Sequence, residues 1–268
     1  MAQLWHLVLY QPFVNALIFL YQILFHNLGL SIIVLTIIIR GLLIPLTLPV
    51  MRTTRKMREL APELERLKKK HGDDKQAYAR AQMELYRQHG ANPAAGCLPQ
   101  IIQLIILIAL FQAFRQVLFA NGEMISRLNE VLYPSLQLSE ETVINTRFTY
   151  LDLTKPDIIR LPQEFLGGVL PGLPGLFLVG AALSQFLSSK MMAPAVKTAQ
   201  KEAKKTPGEM DDMATAMQKQ MLYLFPLMTI LIGFSFPSGL VLYWFIFSAF
   251  TALQQYFINV KYQTKKEK

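Results

Sequence analysis

The sequence predicts an all-α integral membrane protein, and three observations carry that expectation. Of its 268 residues 52% are hydrophobic and only 17% charged, and the mean hydropathy is +0.30, a balance too oily for an ordinary soluble domain. The apolar residues gather into runs with the length and apolarity of segments that cross about 30 Å of hydrocarbon. Between those runs, lysine and arginine collect in some connecting segments and are scarce in others, as they do in a polytopic chain. Five transmembrane helices with a hydrophilic groove, an N-terminal amphipathic interfacial helix and a cytoplasmic helical hairpin account for the whole pattern.

Residues 1–28 alternate apolar clusters (Leu4, Leu7, Val8; Phe13, Leu17, Leu20, Leu24) with Gln3, Gln11, Asn15 and Gln22, and Pro12 interrupts them. This reads as an amphipathic helix on the outer membrane surface. The competing reading is a sixth span, which would put both termini on one side and break the charge asymmetry. The first span covers 29–50 and has Arg40 near its centre. An arginine at that depth costs roughly 3 kcal/mol on insertion scales, so it faces water or protein and usually has a function. An earlier span would make Arg40 a snorkelling rim residue, but it would strand the apolar segment 41–50 in water and bury His26 and Asn27.

Residues 51–96 form a charged helical hairpin. Met57, Leu60, Leu64 and Leu67 recur at helical spacing, His71 to Asp74 supplies a turn, and Tyr78, Ala81, Leu85 and Tyr86 form a second stripe. Its outer faces carry Arg52, Arg55, Lys56, Arg58, Arg66, Lys68, Lys69, Lys70 and Lys75. Such a surface is either a solvated face with the usual inside-positive bias or a contact for anionic lipid or ribosomal RNA. The second span is 97–119, where Arg115 is read as a snorkelling residue. An exterior loop with Pro134, Pro156 and Pro162 follows at 120–168. The third span is 169–187 and a polar, Pro-interrupted cytoplasmic loop occupies 188–220. The fourth span, 221–236, is short: sixteen residues at about 1.5 Å each reach only roughly 24 Å. The turn Phe236-Pro237-Ser238-Gly239 joins it to the fifth span, 237–260, as a tight hairpin, and 261–268 is a basic tail.

Orientation follows from the basic residues. The 51–96 segment holds eleven Lys or Arg, 188–220 holds six and the tail four, whereas the exterior loop holds four against seven acids. The N-terminus is therefore expected outside and the C-terminus in the cytoplasm of a cell (cytoplasmic or inner) membrane. No basic n-region precedes the first apolar stretch, so no cleavable signal peptide is expected. The net charge of +9 follows from the same bias and says nothing about nucleic acid. Cys97 stands alone, and His6, His26, His71 and His89 lack ligand spacing, so no metal site and no cofactor is expected.

No Asp or Glu occurs in any of the five spans. Ion-coupled transport generally needs an acid at membrane depth, which counts against a small transporter or channel. Uncharged polar groups do occur there: Gln100, Gln103 and Gln112, then Ser184 and Gln185, then Ser248, Thr251, Gln254 and Gln255. They serve either as interhelical hydrogen-bonding groups or, with Arg40, as the lining of a wet groove. A guanidinium in such a groove is a receptor for an anion. At an effective dielectric of about 20, a carboxylate at 4 Å gains on the order of 4 kcal/mol before desolvation.

Residues 37–103, from IIIRGLLIPLTLPV through the charged hairpin to NPAAGCLPQIIQ, and the hairpin FPSGLVLYW at 236–244, closely resemble the YidC family of membrane protein insertases, relatives of the mitochondrial oxidase-assembly and chloroplast Albino insertases. The resemblance implies a hydrophilic groove open to cytoplasm and lipid, with Arg40 as its arginine, and insertion of newly made proteins into the bilayer without covalent chemistry. The groove set is then Arg40, Gln100, Gln103, Ser184, Gln185, Ser248, Thr251 and Gln254. A recruitment surface comprises Arg55, Arg58, Lys68, Lys69, Lys70, Lys265 and Lys266. The implied partners are nascent membrane proteins, the ribosome and signal-recognition targeting machinery, anionic lipids and, as an optional further one, the Sec translocon. A structural assembly factor is the remaining rival. The chain departs from the family in lacking the large exterior domain of Gram-negative forms and the lipoprotein signal of Gram-positive ones, and in its longer exterior loop and short tail.

Overall fold

A computed structural model describes residues 2–71, 74–90, 98–120, 123–160, 172–192 and 220–266. The loop 188–220 therefore lies almost wholly outside the described residues, as do Cys97 and the Asn-Pro segment before it. The helices are α1 (Ala2–Trp5), a π turn (His6–Tyr10), α2 (Gln11–Ile23), α3 (Leu28–Glu59), α4 (Ala61–His71), α5 (Lys75–Gln88), α6 (Leu98–Leu118), α7 (Glu123–Asn129), α8 (Leu176–Met192), a π turn (Gln220–Leu224), α9 (Phe225–Gly233) and α10 (Ser238–Lys266). Among the described residues three stretches are long and apolar enough to cross a membrane, Gln3–Ile23, Leu28–Met57 and Ser238–Val260. Three shorter apolar ones are Leu104–Leu118, Leu176–Met191 and Leu222–Gly233. The N-terminal segment, expected on the surface, thus also has the length of a span.

The chain divides into two compact units. The first comprises residues 1–42, 102–184 and 226–250, and its core includes Val14, Leu17, Ile18, Leu110, Phe114, Leu128, Leu178 and Leu242. Here α2 is held by polar bonds to the exterior loop. Asn15 Nδ2 donates to Val131 O (3.0 Å), Tyr133 N donates to Asn15 Oδ1 (2.6 Å), and Asn145 N donates to the Tyr21 hydroxyl (2.9 Å). The polar residues that made α2 look interfacial are therefore docking groups for that loop. Between α2 and α3 the chain reverses through Phe25 and His26, both at positive φ, and Asn27 Oδ1 caps α3 by accepting from Leu30 N.

The described part of the 120–168 loop carries regular structure that its composition does not suggest. Two antiparallel strand pairs are present, β1 (Arg147–Phe148) with β2 (Leu151–Asp152), and β3 (Ile158–Ile159) with β4 (Leu173–Pro174), which lies beyond the loop. The third span accordingly begins later than expected. Gly172 has a φ of +149°, and Pro174 pairs in β4, so α8 starts at Leu176. The loop also receives the start of α10: Ser238 N donates to Lys155 O (2.7 Å), Gly239 N to Leu153 O (3.0 Å), and Ser238 Oγ to Asp152 O (2.9 Å). These bonds satisfy amides that a helix start leaves without an intrahelical acceptor.

Asp152 closes the β1–β2 hairpin. It accepts from the hydroxyl of Thr154 (2.7 Å) and pairs with Lys155 (2.9 Å), and these contacts, the threonine bond first, hold its carboxyl down at about 2, from an ordinary 3.8. A depressed folded value means the contribution is complete above about pH 4 and is lost as the pH falls toward 2. Pepsin digestion across that window is expected to cut near 146–155 progressively faster as acidity rises. Asp152→Asn would remove the pH dependence, and an unchanged profile in that variant would refute the assignment.

The second unit comprises residues 43–101, 185–225 and 251–268. Within it α3 continues to Glu59 as one helix, past the expected end of the span at residue 50 and through Pro45 and Pro49. Membrane helices tolerate interior proline where neighbours re-satisfy the backbone. The residues beyond, MRTTRKMRE, contain no breaker, and Arg55 pairs with Glu59 one turn on (3.2 Å). Helices α4 and α5 pack through Leu60 and Tyr86, with Met57, Leu64 and Leu85 around them. Asp74 begins α5 by accepting from Gln76 N (2.9 Å) and Ala77 N (3.0 Å), with the Ala77 amide the main cause of a carboxyl held below its ordinary value.

Candidate functional site

Arg40 lies on α3 within the first unit and is 7% exposed. Its guanidinium carbon stands 4.2 Å from the ring centroid of Phe247 and 5.5 Å from that of Phe250, both on α10. Residues 243, 247 and 250 share one helical face by their i, i+4, i+7 spacing, and the rings continue along it: Tyr243 sits 5.9 Å from Phe247 and 5.8 Å from Phe114 of α6. A guanidinium over an aromatic face gains about 0.5–2 kcal/mol, and the ring holds the cation without cancelling its charge. Serine at 248 is also buried.

Arg40 thus meets aromatic faces first, where the sequence led one to expect polar groups. The signal for them was present in the spacing of Tyr243, Phe247 and Phe250, which are as easily read as lipid-facing bulk. The groove residues divide between the two units. Arg40, Ser184 and Ser248 belong to the first, whereas Gln185, Thr251 and Gln254 belong to the second. Gln254 Nε2 donates to Thr47 Oγ1 of α3 (3.0 Å), an interhelical bond. Ser184, Gln185 and Thr251 are half-buried. The side chains of Gln100 and Gln103 lie outside the described set.

On the expected recruitment surface, Lys69 and Lys70 are exposed and Lys68 is half-buried. Arg55 departs from that picture. Its side chain is only 15% exposed, and Nη1 donates to Asn259 O (3.1 Å) and Asn259 Oδ1 (3.3 Å) of α10. The five fork-like donors of an arginine suit a helix backbone as well as a phosphate, and a helical wheel alone does not separate the two. The side chains of Arg58, Lys265 and Lys266 are outside the described set. Residues 40, 47 and 55 of α3 meet 247, 254 and 259 of α10 in rising order, so these two helices run parallel.

The arrangement offers a fixed cation among apolar helices. Among the described residues no cluster of His, Cys, Asp and Glu has the makings of a metal site.

Comparison with known proteins gives a consistent result. The pattern of the 60Kd inner membrane protein family matches residues 19–266. A "Membrane protein insertase YidC" of Fusobacterium nucleatum is 37% identical over 235 residues, 88% of this chain and 87% of that protein. Proteins of the same name from Pelobacter propionicus (31% over 258 residues, 95% of this chain) and Dinoroseobacter shibae (31% over 246, 92%) are longer: the match spans 39% and 36% of their length.

Proposed function

Because this chain belongs to the 60Kd inner membrane protein family, that of the YidC membrane protein insertases, we propose that Arg40 is the point at which it captures an incoming substrate. The chain is a multi-pass membrane insertase and not an enzyme, since insertion makes and breaks no covalent bond. The observation that carries the capture step is a buried guanidinium held on the faces of Phe247 and Phe250. An acidic residue in a substrate's short tail pairs with that cation. The substrate's apolar segment then moves into lipid, and burial of some twenty apolar residues supplies the driving force for release.

In this reading five helices cross the bilayer, namely α3, α6, α8, the Gln220–Gly233 segment and α10. The parallel course of α3 and α10 agrees with an odd number of spans from α3 to α10; the N-terminus lies outside and the C-terminus in the cytoplasm, as the distribution of basic residues supports. Segment 2–23 lies at the outer surface, docked on the exterior loop. Ser184 and Ser248, polar residues of the same unit, belong to the groove in which the cation sits. Lys68, Lys69 and Lys70 of α4, with the basic tail, meet the ribosome, targeting machinery and anionic lipid headgroups.

Reconstitution of the purified chain into liposomes with a small single-span substrate, read by protease protection, tests the function. A several-fold rise in protected substrate over protein-free liposomes is expected. Equal protection in both would refute insertase activity for this chain.

A further inference from the structure

At the C-terminal end of α6 the first unit has an open cleft of about 610 Å³ lined by Tyr10, Gln112, Arg115, Gln116, Phe119 and Met124. That volume is within the range of small-molecule sites. Arg115 and Gln116 make no side-chain hydrogen bond or ion pair among the described residues. Gln112 Oε1 accepts from Trp5 Nε1 (3.0 Å), so its amide N–H2 group is the part left to donate. Phe119 and Met124 remain 42% and 45% exposed beside these donors. A guanidinium, two amides and a phenol face one space, and apolar side chains flank it.

From this geometry we propose that the cleft binds the headgroup of an anionic glycerophospholipid in the leaflet that meets this end of α6. Twenty-one residues at about 1.5 Å each carry α6 roughly 31 Å, so its end reaches the headgroup boundary when its start lies at the opposite interface, and Arg115, within one turn of that end, extends its guanidinium to it. Trp5 and Tyr10 are the amphipathic rings favoured at that depth. The arginine and amides take the phosphodiester, and Phe119 and Met124 take the upper acyl chain, which a soluble phosphate does not have. A snorkelling arginine alone needs neither a cleft lined by further donors nor a fixed amide beside it. The proposal rests on the chain being membrane-embedded and not on its insertase activity.

The sequence has two tryptophans, at 5 and 244, so Trp244→Phe leaves Trp5 as a local reporter. In liposomes, brominated phosphatidylglycerol is expected to quench Trp5 with roughly fivefold preference over brominated phosphatidylcholine, the ratio that about 1 kcal/mol per basic residue gives. Arg115→Gln should abolish the preference and Arg115→Lys should keep part of it. Added glycerol phosphate should leave the quenching unchanged. Equal quenching by the two lipids, or a preference that survives Arg115→Gln, overturns the site. Displacement by glycerol phosphate assigns it to a soluble anion and overturns the lipid. Insertion assays do not enter, so this proposal and the insertase reading fail separately.

Discussion

Arg40→Ala is expected to lower insertion of an acid-tailed single-span substrate at least tenfold, while a substrate with an uncharged tail loses far less. The attraction at stake is on the order of 4 kcal/mol at 4 Å and an effective dielectric of about 20, and desolvation of both groups removes part of it. What is left after that loss still corresponds to one to two decades in occupancy, at 1.4 kcal/mol per decade. Arg40→Lys keeps the charge but not the planar group that lies on Phe247, so an intermediate rate is expected. Stability separates this from a folding defect. The guanidinium costs energy where it is, roughly 3 kcal/mol on insertion scales, and Phe247 and Phe250 return about 0.5–2 kcal/mol each. The two terms nearly cancel, so removing it should shift the melting temperature little. Native-level insertion of the acid-tailed substrate by Arg40→Ala, measured by protease protection, would end the capture mechanism.

The sequence made Arg40 conspicuous because one cation among apolar residues breaks a compositional rule. Its surroundings were harder to read. Phe247 and Phe250 are ordinary residues for a membrane helix, and nothing in their own segment says which face meets α3; that depends on a pairing over two hundred residues apart. The hairpin α4–α5 was legible from its apolar spacing and its turn because the cluster that joins its helices is local: Leu60, Leu64, Leu85 and Tyr86 pack within thirty residues. Arg55 misled for the same reason that Phe247 was silent. Its place on a charged face suggested solvent, yet its partners are the carbonyl and amide of Asn259. The exterior loop, which read as apolar pieces between prolines, proved to be the region where one buried acid matters most.

Asp157→Ala is expected to destabilise the first unit by about 3 kcal/mol, a larger effect than any other single change in the exterior loop. The carboxylate is 1% exposed and serves two donors: Leu178 N in the first turn of α8 (2.9 Å, to Oδ2) and the Tyr150 hydroxyl (2.8 Å, to Oδ1). Tyr150 in turn accepts from Leu176 N (2.9 Å), so acid and phenol together satisfy amides that the start of α8 leaves open. An anion there also meets the positive end of the helix dipole. Gly175 belongs to the same construction, because a Cβ at that position would overlap the Asp157 carboxyl. Truncating the acid strands the buried Leu178 N–H, at a cost of about 1–3 kcal/mol, whereas the hydroxyl of Tyr150, a residue 52% exposed, can turn to water. Tyr150→Phe removes the shared bond and should cost less, since Asp157 keeps Leu178. The two residues are in contact, so the double variant should lose less than the sum of the singles. Thermal unfolding in detergent, read by the exposure of Trp244 on the adjoining α10, measures all three. An Asp157→Ala protein that melts within a degree or two of the native one would refute this account of how the loop holds the start of α8.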